Sequence, residues 1–317
     1  MRPSRRSADS PPSRPWRAGH TSPPSQRALA RAAAARPRVR RATVAMGTFL
    51  HVELYGPSPS DAHRATDRAF MLARRLSRQF SRFEPGGEVG RLNAWPAHHP
   101  FEASLRLRRL LSKALAIWRA SDGAFSPAPL SASLRGPAIR LCDRHVIRED
   151  PDAQIDLGAI AKGYILDEMV ALLRRSGITG GIVNAGGDIR AFGDRTWTLH
   201  LRHPHRPDET LGAVRLRNAA LCASGQTFQP GHLRDPRRVG LTHGASAAGS
   251  AVIARSAADA DAWATALCVA GHQGLRRWFP SRAISGLVIE SSGAHSLRLW
   301  RTKSFPMEID RADSVAH

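Results

Sequence analysis

Cysteine is scarce in this sequence, and long apolar runs are missing. The three cysteines among 317 residues, Cys142, Cys222 and Cys268, are too few for a fold built on disulfides. None belongs to a Cys-x-x-Cys pair, which argues against a cysteine zinc site. Nowhere does the chain approach the roughly 18 consecutive apolar residues of a transmembrane helix, so we expect no membrane span.

Lysine is also scarce, because only three of the 47 basic residues behind the net charge of +21 are lysines. Residues 1–41 contain eleven arginines and one acidic residue, Asp9, among many prolines, serines and alanines. This composition predicts a disordered arm. The charge also raises the hypothesis of nucleic-acid binding through the arm. Aromatic residues make up only 6% of the chain and no recognition motif is present, so we expect no specific nucleic-acid partner.

The first residues lack the apolar segment of a secretory signal peptide. Arg5-Arg6 is a twin arginine, but polar residues and prolines follow it, and no nearby cysteine could carry a lipid. We therefore expect a cytoplasmic protein, with the periplasm as the alternative if translation starts at another residue.

Apolar periodicity after the arm predicts an α+β fold. Strands and helices do not alternate strictly, which disfavours a doubly wound parallel sheet. We predict one domain over residues 42–305 and a C-terminal tail over 306–317. The predicted strands are 43–55, 154–157, 181–192, 196–202, 212–221, 284–290 and 296–300, and the predicted helices are 61–82, 104–120, 162–176 and 256–269.

Two glycine-containing segments are candidates for ligand contact. In residues 155–164, Asp156 ends a short strand and Lys162 begins a helix, an arrangement that suits a phosphate but also fits an ordinary strand-to-helix turn. In residues 180–190, Gly186-Gly187 interrupts a strand pattern. This break indicates either a hairpin whose turn Asp188 satisfies or a place where a flat ligand meets bare backbone.

Two further segments carry polar side chains at suggestive spacing. Asp261 and Thr265 lie four residues apart, so their oxygens project from one helix face and form half of a Mg²⁺ site. Asp259, two residues earlier, is expected to be an acidic residue in the first turn of the helix, where its charge complements the helix dipole. His232 lies three residues before Asp235, a spacing that suits an oriented general base but proves little in a chain with 14 histidines.

Taken together and in this order, these segments resemble the ApbE-type flavin transferases, the FAD:protein FMN transferase family. The resemblance extends over about residues 41–290. Each motif is short, and their common order carries the resemblance. The additional matching motifs are Met46-Gly47-Thr48, Ser81-Arg82-Phe83, Gly86-Gly87-Glu88-Val89, Arg91-Leu92-Asn93, Asp122-Gly123-Ala124-Phe125, Asp167 and Ser224-Gly225.

The resemblance implies an ApbE-like, T-fold-like single domain with mixed or antiparallel sheets and packed helices. It also implies Mg²⁺-dependent cleavage of the FAD pyrophosphate, attachment of FMN through a phosphoester to a Thr or Ser of an acceptor protein, and release of AMP. The metal would be held by the carbonyl of Ala159 and the side chains of Asp261 and Thr265. The FAD site would be lined by Met46, Phe83, Ala124, Phe125, Ser126, Asp156, Lys162 and Leu233.

For the acceptor hydroxyl, we expect His232 to act as general base and Asp235 to orient it. The chain departs from the usual family pattern at Ser126, where an Asp is usual, and in residues 226–240. Two alternatives stay open. An Mg²⁺-dependent FAD pyrophosphatase that gives FMN and AMP would use the same metal site with water as acceptor, and the departures support a non-catalytic FAD-binding protein.

Overall fold

The computed structural model describes residues 39–56, 58–129, 137–206, 208–225, 233–237, 245–280, 283–292, 296–309 and 314–316. Its helices are α1 (Pro59–Phe80), α2 (Glu88–Ala94), α3 (Leu105–Ala120), α4 (Ala161–Arg175) and α5 (Ala257–Trp278). Its strands are β1 (Val39–Ala45), β2 (Thr48–Tyr55), β3 (Phe101–Glu102), β4 (Ile139–Cys142), β5 (His145–Arg148), β6 (Gly180–Ala185), β7 (Asp188–Phe192), β8 (Thr196–Arg202), β9 (Thr210–Arg217), β10 (Ala220–Gly225), β11 (Gly249–Ala254), β12 (Ser285–Ser291), β13 (Leu297–Arg301), β14 (Met307–Ile309) and β15 (Ser314–Ala316).

Nine strands form one sheet in the order β1-β2-β6-β7-β10-β11-β12-β13-β15. All neighbours in it are antiparallel except β13 and β15, which are parallel. Two further sheets of the described residues, β14-β9-β8 and β3-β5-β4, have three strands each. The predicted α+β class with mixed and antiparallel sheets is confirmed.

The large sheet is covered on both faces. The alternation of side chains along its strands sends Val183, Cys222 and Val252 into the core beneath helices α1, α4 and α5. The opposite side chains, among them Leu221 and Leu287, pack against the β14-β9-β8 sheet. Helices α1, α3 and α5 start at capped positions, since the side chains of Ser58, Ser104 and Ser256 each accept a hydrogen bond from an amide of the first turn.

Several predicted boundaries need correction. Strand β1 starts at Val39, so residues 39–41 belong to the sheet and only residues 1–38 of the predicted arm lie outside the described residues. The predicted strand 43–55 is a hairpin, in which Met46 and Gly47 form the turn with positive φ angles of 57° and 70°. The predicted tail, 306–317, contributes β14 and β15.

Residues 154–157 form no strand, because the side chain of Asn93, rather than a neighbouring strand, bonds the backbone of Ile155. Helix α4 ends as predicted, with Gly177 in the left-handed region just beyond it. Helix α5 continues past the predicted end to Trp278, across a break at Gly271. None of the described helices combines the length and apolar character that a membrane crossing requires.

Candidate active site

A lysine and two carboxylates from three different elements meet inside the domain. Lys162 lies in the first turn of α4, Asp188 begins β7 and Asp261 lies in α5. The Lys162 ammonium donates to Asp188 Oδ2, and its Nζ lies 3.8 Å from Asp261 Oδ1. The two carboxylate side chains are only 3% and 4% exposed. With one cation against two carboxylates, the cluster carries a formal charge of −1 and favours an additional cation.

The starts of α4 and α5 pack against each other without intervening side chains. A Cβ on Gly163 would lie 2.1 Å from the carbonyl oxygen of Ala257, so only glycine fits there. This close packing lets the Gly163 amide donate to Asp261 Oδ2 over 3.0 Å. From the sequence, the amides at the start of α4 are candidate donors to a phosphate. One of them, the Gly163 amide, instead donates to a carboxylate of this chain.

Burial and charge set the protonation of this cluster. Burial raises the pKa of Asp261 to about 7, although the nearby Lys162 charge opposes the rise. Burial would lower the pKa of Lys162, but the charges of Asp261 and Asp188 outweigh it and raise that pKa above its usual value. Lys162 therefore stays protonated at neutral pH, while Asp261 is poised to exchange its proton for another cation.

Oxygen donors suitable for a hard cation adjoin Asp261. Thr265 follows it by one helical turn, and its Oγ1 lies 3.2 Å from Ser224 Oγ. Helix α4 begins at Ala161, so the carbonyl of Ala159 precedes the helix and the Gly163 amide is one of the first-turn amides that have no helical acceptor. That amide donates to Asp261, which places the Asp261 carboxylate at the start of α4 near Ala159. A carboxylate, a hydroxyl and a carbonyl fit the oxygen preference of Mg²⁺. Within the described ranges, no three His, Cys, Asp or Glu side chains converge as a metal site.

The turn between β6 and β7, which precedes Asp188, lies beside the start of β2. The β6–β7 turn packs on the start of β2, where a Cβ on Gly186 would lie 2.6 Å from Thr48 Oγ1. The Gly187 amide donates to Asn184 Oδ1 over 2.9 Å, so Asn184 satisfies the turn and Asp188 is free to pair with Lys162. The hairpin expected here is present, but the expectation that Asp188 satisfies its turn was wrong.

Asp156 organises the second part of the candidate site. Its Oδ1 accepts the Gly158 amide over 2.9 Å, and its Oδ2 lies 2.9 Å from Arg82 Nε. The Arg82 guanidinium stacks on the Phe83 ring, with 4.1 Å from Cζ to the ring centroid, and Phe83 itself is 76% exposed. An exposed aromatic ring backed by an ion pair is suited to stacking on a planar ligand.

The loop after α3 is tied to Asp156 through the backbone. The Asp156 amide donates to the carbonyl of Pro127 over 2.8 Å. Ala124 and Phe125 are buried, so they act as the floor of this loop. Ser126 is half-buried, and its Oγ accepts the Ala128 amide over 3.1 Å.

The predicted catalytic pair is only partly described. His232 lies outside the described residues. Both Asp235 oxygens accept hydrogen bonds from the Arg237 side chain, at 2.7 and 2.8 Å. Leu233 is partly buried against the core, and its carbonyl accepts the Ala245 amide over 3.2 Å. Arg237 in turn lies against Gly123, so this segment adjoins the loop after α3.

Sequence reasoning missed several residues that build the site. Asp188 was assigned to a turn, and Ser224, Arg82 and Asn93 were quoted only as parts of motifs. Asp167 was quoted in the same way, yet it caps the start of α5 through the amides of residues 257 and 258, both at 3.0 Å. The motif residues could have been noticed in the sequence, since polar side chains recur there beside glycines. Their hydrogen-bond partners could not be identified, because these lie far away in the chain.

The model of the ApbE family matches residues 46–133 and 129–287. The FAD:protein FMN transferase of Rhodobacter capsulatus is 31% identical over 277 residues, which covers 75% of this chain and 52% of that protein. This chain thus spans about half the length of that relative. The FAD:protein FMN transferase of Treponema pallidum is 28% identical over 307 residues, covering 77% of this chain and 84% of that protein.

Solved structures show the same fold at lower sequence identity. The ApbE protein of Thermotoga maritima superposes with a TM-score of 0.73 at 23% identity, over 85% of this chain and 99% of that one. The flavin transferase ApbE of Vibrio cholerae gives 0.74 at 21% identity, over 84% and 97%. The ApbE-like fold that the motif order implied is confirmed, and the chain belongs to the ApbE family.

Proposed function

We propose that this protein is a FAD:protein FMN transferase that modifies an acceptor protein. It would cleave the pyrophosphate of FAD, attach FMN through a phosphoester to a Thr or Ser hydroxyl and release AMP. The observation that carries the proposal is the buried group of Lys162, Asp188 and Asp261 with Thr265 beside it, at the start of two helices. The names of the matched relatives support the same activity.

FAD would extend from the cluster of Lys162, Asp188 and Asp261, past Asp156, to the exposed ring of Phe83. The exposed Phe83 ring and Met46 in the hairpin turn offer apolar surface for the flat rings. Asp156 is held by Arg82 and the Gly158 amide, so it can present a fixed acceptor. Ala124, Phe125, Ser126 and Leu233 would form the remaining wall.

Asp261, Thr265 and the carbonyl of Ala159 would hold Mg²⁺, for which their all-oxygen donor set is suited. When bound there, the ion supplies Lewis-acid charge neutralisation to the pyrophosphate. Lys162 adds a fixed positive charge to the same place and stabilises the charge that develops on departing AMP. Asp188 holds the ammonium of Lys162 in position.

The acceptor hydroxyl is a poor nucleophile until a base removes its proton. His232 is the proposed base, since a neutral imidazole accepts a proton near neutral pH, and Asp235 is its proposed orienting partner. The buried Asp235 is itself anchored by Arg237, which would keep the segment after His232 in place. We propose that the enzyme acts in the cytoplasm.

Mass spectrometry of the reaction products tests this function. The full chain is incubated with FAD, Mg²⁺ and a peptide that contains a candidate Thr, and with a matched peptide in which that Thr is Val. FMN on the Thr peptide alone, dependent on Mg²⁺, is the expected result. Free FMN and AMP without modified peptide would identify the pyrophosphatase instead. Intact FAD in every reaction would contradict both activities.

A further inference from the structure

Helix α5 is broken by a glycine in the left-handed region. Gly271 has φ of 64° and ψ of −155°, inside a helix that otherwise runs from Ala257 to Trp278. A Cβ at this position would lie 2.6 Å from Glu290 Oε1 and 3.4 Å from the side chain of Ser246. The backbone conformation requires glycine, and a side chain here would also displace the Glu290 carboxylate, so the break belongs to the fold.

Glu290, near the end of β12, occupies this break with its carboxylate. Its Oε1 accepts the backbone amide of His272 over 2.9 Å and lies 2.9 Å from the Nδ1 of the same residue. Its Oε2 accepts the Nε1–H of Trp300 over 3.0 Å, and the Trp300 ring stacks on the His272 ring at 4.6 Å. These contacts hold the carboxylate in one orientation.

The break frees helix carbonyls that bind another segment. In an unbroken helix the His272 amide would donate to the carbonyl of Cys268. Glu290 takes that amide, and the Cys268 carbonyl accepts the amide of Ala247 over 3.1 Å instead. The neighbouring Val269 carbonyl accepts the Ser246 amide over 3.2 Å. The Cys268 thiol also lies 3.6 Å from the Ala247 carbonyl oxygen, so Ala247 is held on both sides of its backbone.

The anchored segment continues into the proposed FAD wall. The amide of Ala245, the residue before Ser246, donates to the carbonyl of Leu233 over 3.2 Å. Leu233 is followed by Asp235, which is buried and fixed by Arg237. The Glu290 carboxylate is thus linked to Leu233 through the broken helix, the hydrogen bonds that hold residues 246 and 247, and the bond from their neighbour Ala245.

We propose that Glu290 is a positioning residue for the flavin transfer reaction. By taking the His272 amide, it keeps α5 open at Gly271 and so provides the carbonyls that anchor Ser246 and Ala247. That anchorage holds the backbone of Leu233 against FAD. The role in the reaction rests on the proposed function, whereas the anchorage itself does not.

Hydrogen exchange and kinetics of the full-length Glu290→Ala variant test the proposal. With the His272 amide released, the amides of Ser246 and Ala247 should exchange on the order of 10-fold faster, because their acceptors are no longer held open. The kcat/KM for FAD should fall about 10-fold, mostly through KM, which is less than the roughly 10²-fold that an ångström of misplacement can cost, because Leu233 only lines the proposed FAD site. Glu290→Gln keeps an oxygen for the His272 amide and should restore most of both properties.

Trp300→Phe is the matched control, because it removes the hydrogen bond from Trp300 Nε1 to Glu290 while leaving the His272 amide bound. It should leave exchange at Ser246 and Ala247 unchanged, whereas faster exchange in this variant would assign the effect to general loosening of β12 and β13 and overturn the proposal. Unchanged exchange in Glu290→Ala would also overturn it, and so would faster exchange without any change in kcat/KM. An inactive wild-type protein would contradict the proposed function and leave the exchange result to decide the anchorage.

Discussion

Replacing Asp167 with Ala should destabilise the fold strongly, although this residue is not part of the proposed FAD or metal site. Asp167 lies on α4 and reaches across to the start of α5. Its carboxylate accepts the Ser256 hydroxyl over 2.8 Å and two backbone amides at 3.0 Å. It also lies 3.2 Å from the Nε of Arg190, whose side chain is only 11% exposed. The carboxylate thus joins two helices and one strand.

The loss in the free energy of unfolding can be estimated from the two contacts that Asp167→Ala removes, the cap of α5 and the ion pair with Arg190. Losing a helix cap costs roughly 1 kcal/mol, and stranding a buried cation costs about 3–5 kcal/mol. Asp167 is itself 26% exposed, so solvent screens part of this interaction. We expect Asp167→Ala to lower the free energy of unfolding by about 3 kcal/mol, a large share of the roughly 5–15 kcal/mol of a typical domain. Asp167→Asn keeps an acceptor for one amide and should cost less.

Urea unfolding of the metal-free protein measures this loss, with Asp259→Ala as the control. Asp259 is also an acid in the first turn of α5, but it pairs with Lys113 near the surface, so its loss should cost under about 1 kcal/mol. In an Arg190→Met background, Asp167→Ala should cost less than in the wild type, because the buried cation is absent. If Asp167→Ala and Asp259→Ala lowered the free energy of unfolding equally, the contacts of Asp167 with Arg190 and with the start of α5 would not stabilise the fold as described.

Three further predictions concern the site and the thiols. Asp261→Ala should abolish FAD turnover at Mg²⁺ concentrations that support the wild type, and unchanged turnover with unchanged Mg²⁺ dependence would remove Asp261 from the proposed metal site. His232→Ala should lower transfer by about 10²–10⁴-fold while FAD binding, followed by flavin fluorescence, is retained; unchanged turnover would exclude it as the base. In the native protein a thiol reagent should label Cys142 alone, since Cys222 and Cys268 are buried and burial raises the pKa of Cys268 to about 12. Rapid labelling of all three cysteines would contradict the described core.

Much of the fold was accessible from local sequence signals. The helix predicted over 104–120 has its cap at Ser104 and starts one residue later, because a serine cap and a regular apolar stripe agree there. The segment 154–157 was wrongly predicted as a strand. Its apolar side chains are buried as in a strand, but the backbone of Ile155 is hydrogen-bonded to the Asn93 side chain and not to a neighbouring strand. A side chain 62 residues away in the chain leaves no trace in local periodicity.

The candidate site shows the same division. Asp261 and Thr265 could be paired from helical spacing alone, and the order of the motifs led to the family. The partnership of Lys162 with Asp188 could not be predicted, because it depends on how β7 lies beside the start of α4. The break at Gly271 was also missed, since the Glu290 carboxylate that occupies it lies on a distant strand.

The proposed transfer of FMN from FAD to a protein hydroxyl at the cluster of Lys162, Asp188 and Asp261 is tested by quantifying AMP and FMN-modified peptide in one reaction. The reaction is run with and without Mg²⁺, for the wild type and for Asp261→Ala. We expect equal amounts of AMP and modified peptide, formed by the wild type only when Mg²⁺ is present. AMP released without any modified peptide, or equal product from the Asp261→Ala variant, would contradict the proposed transfer.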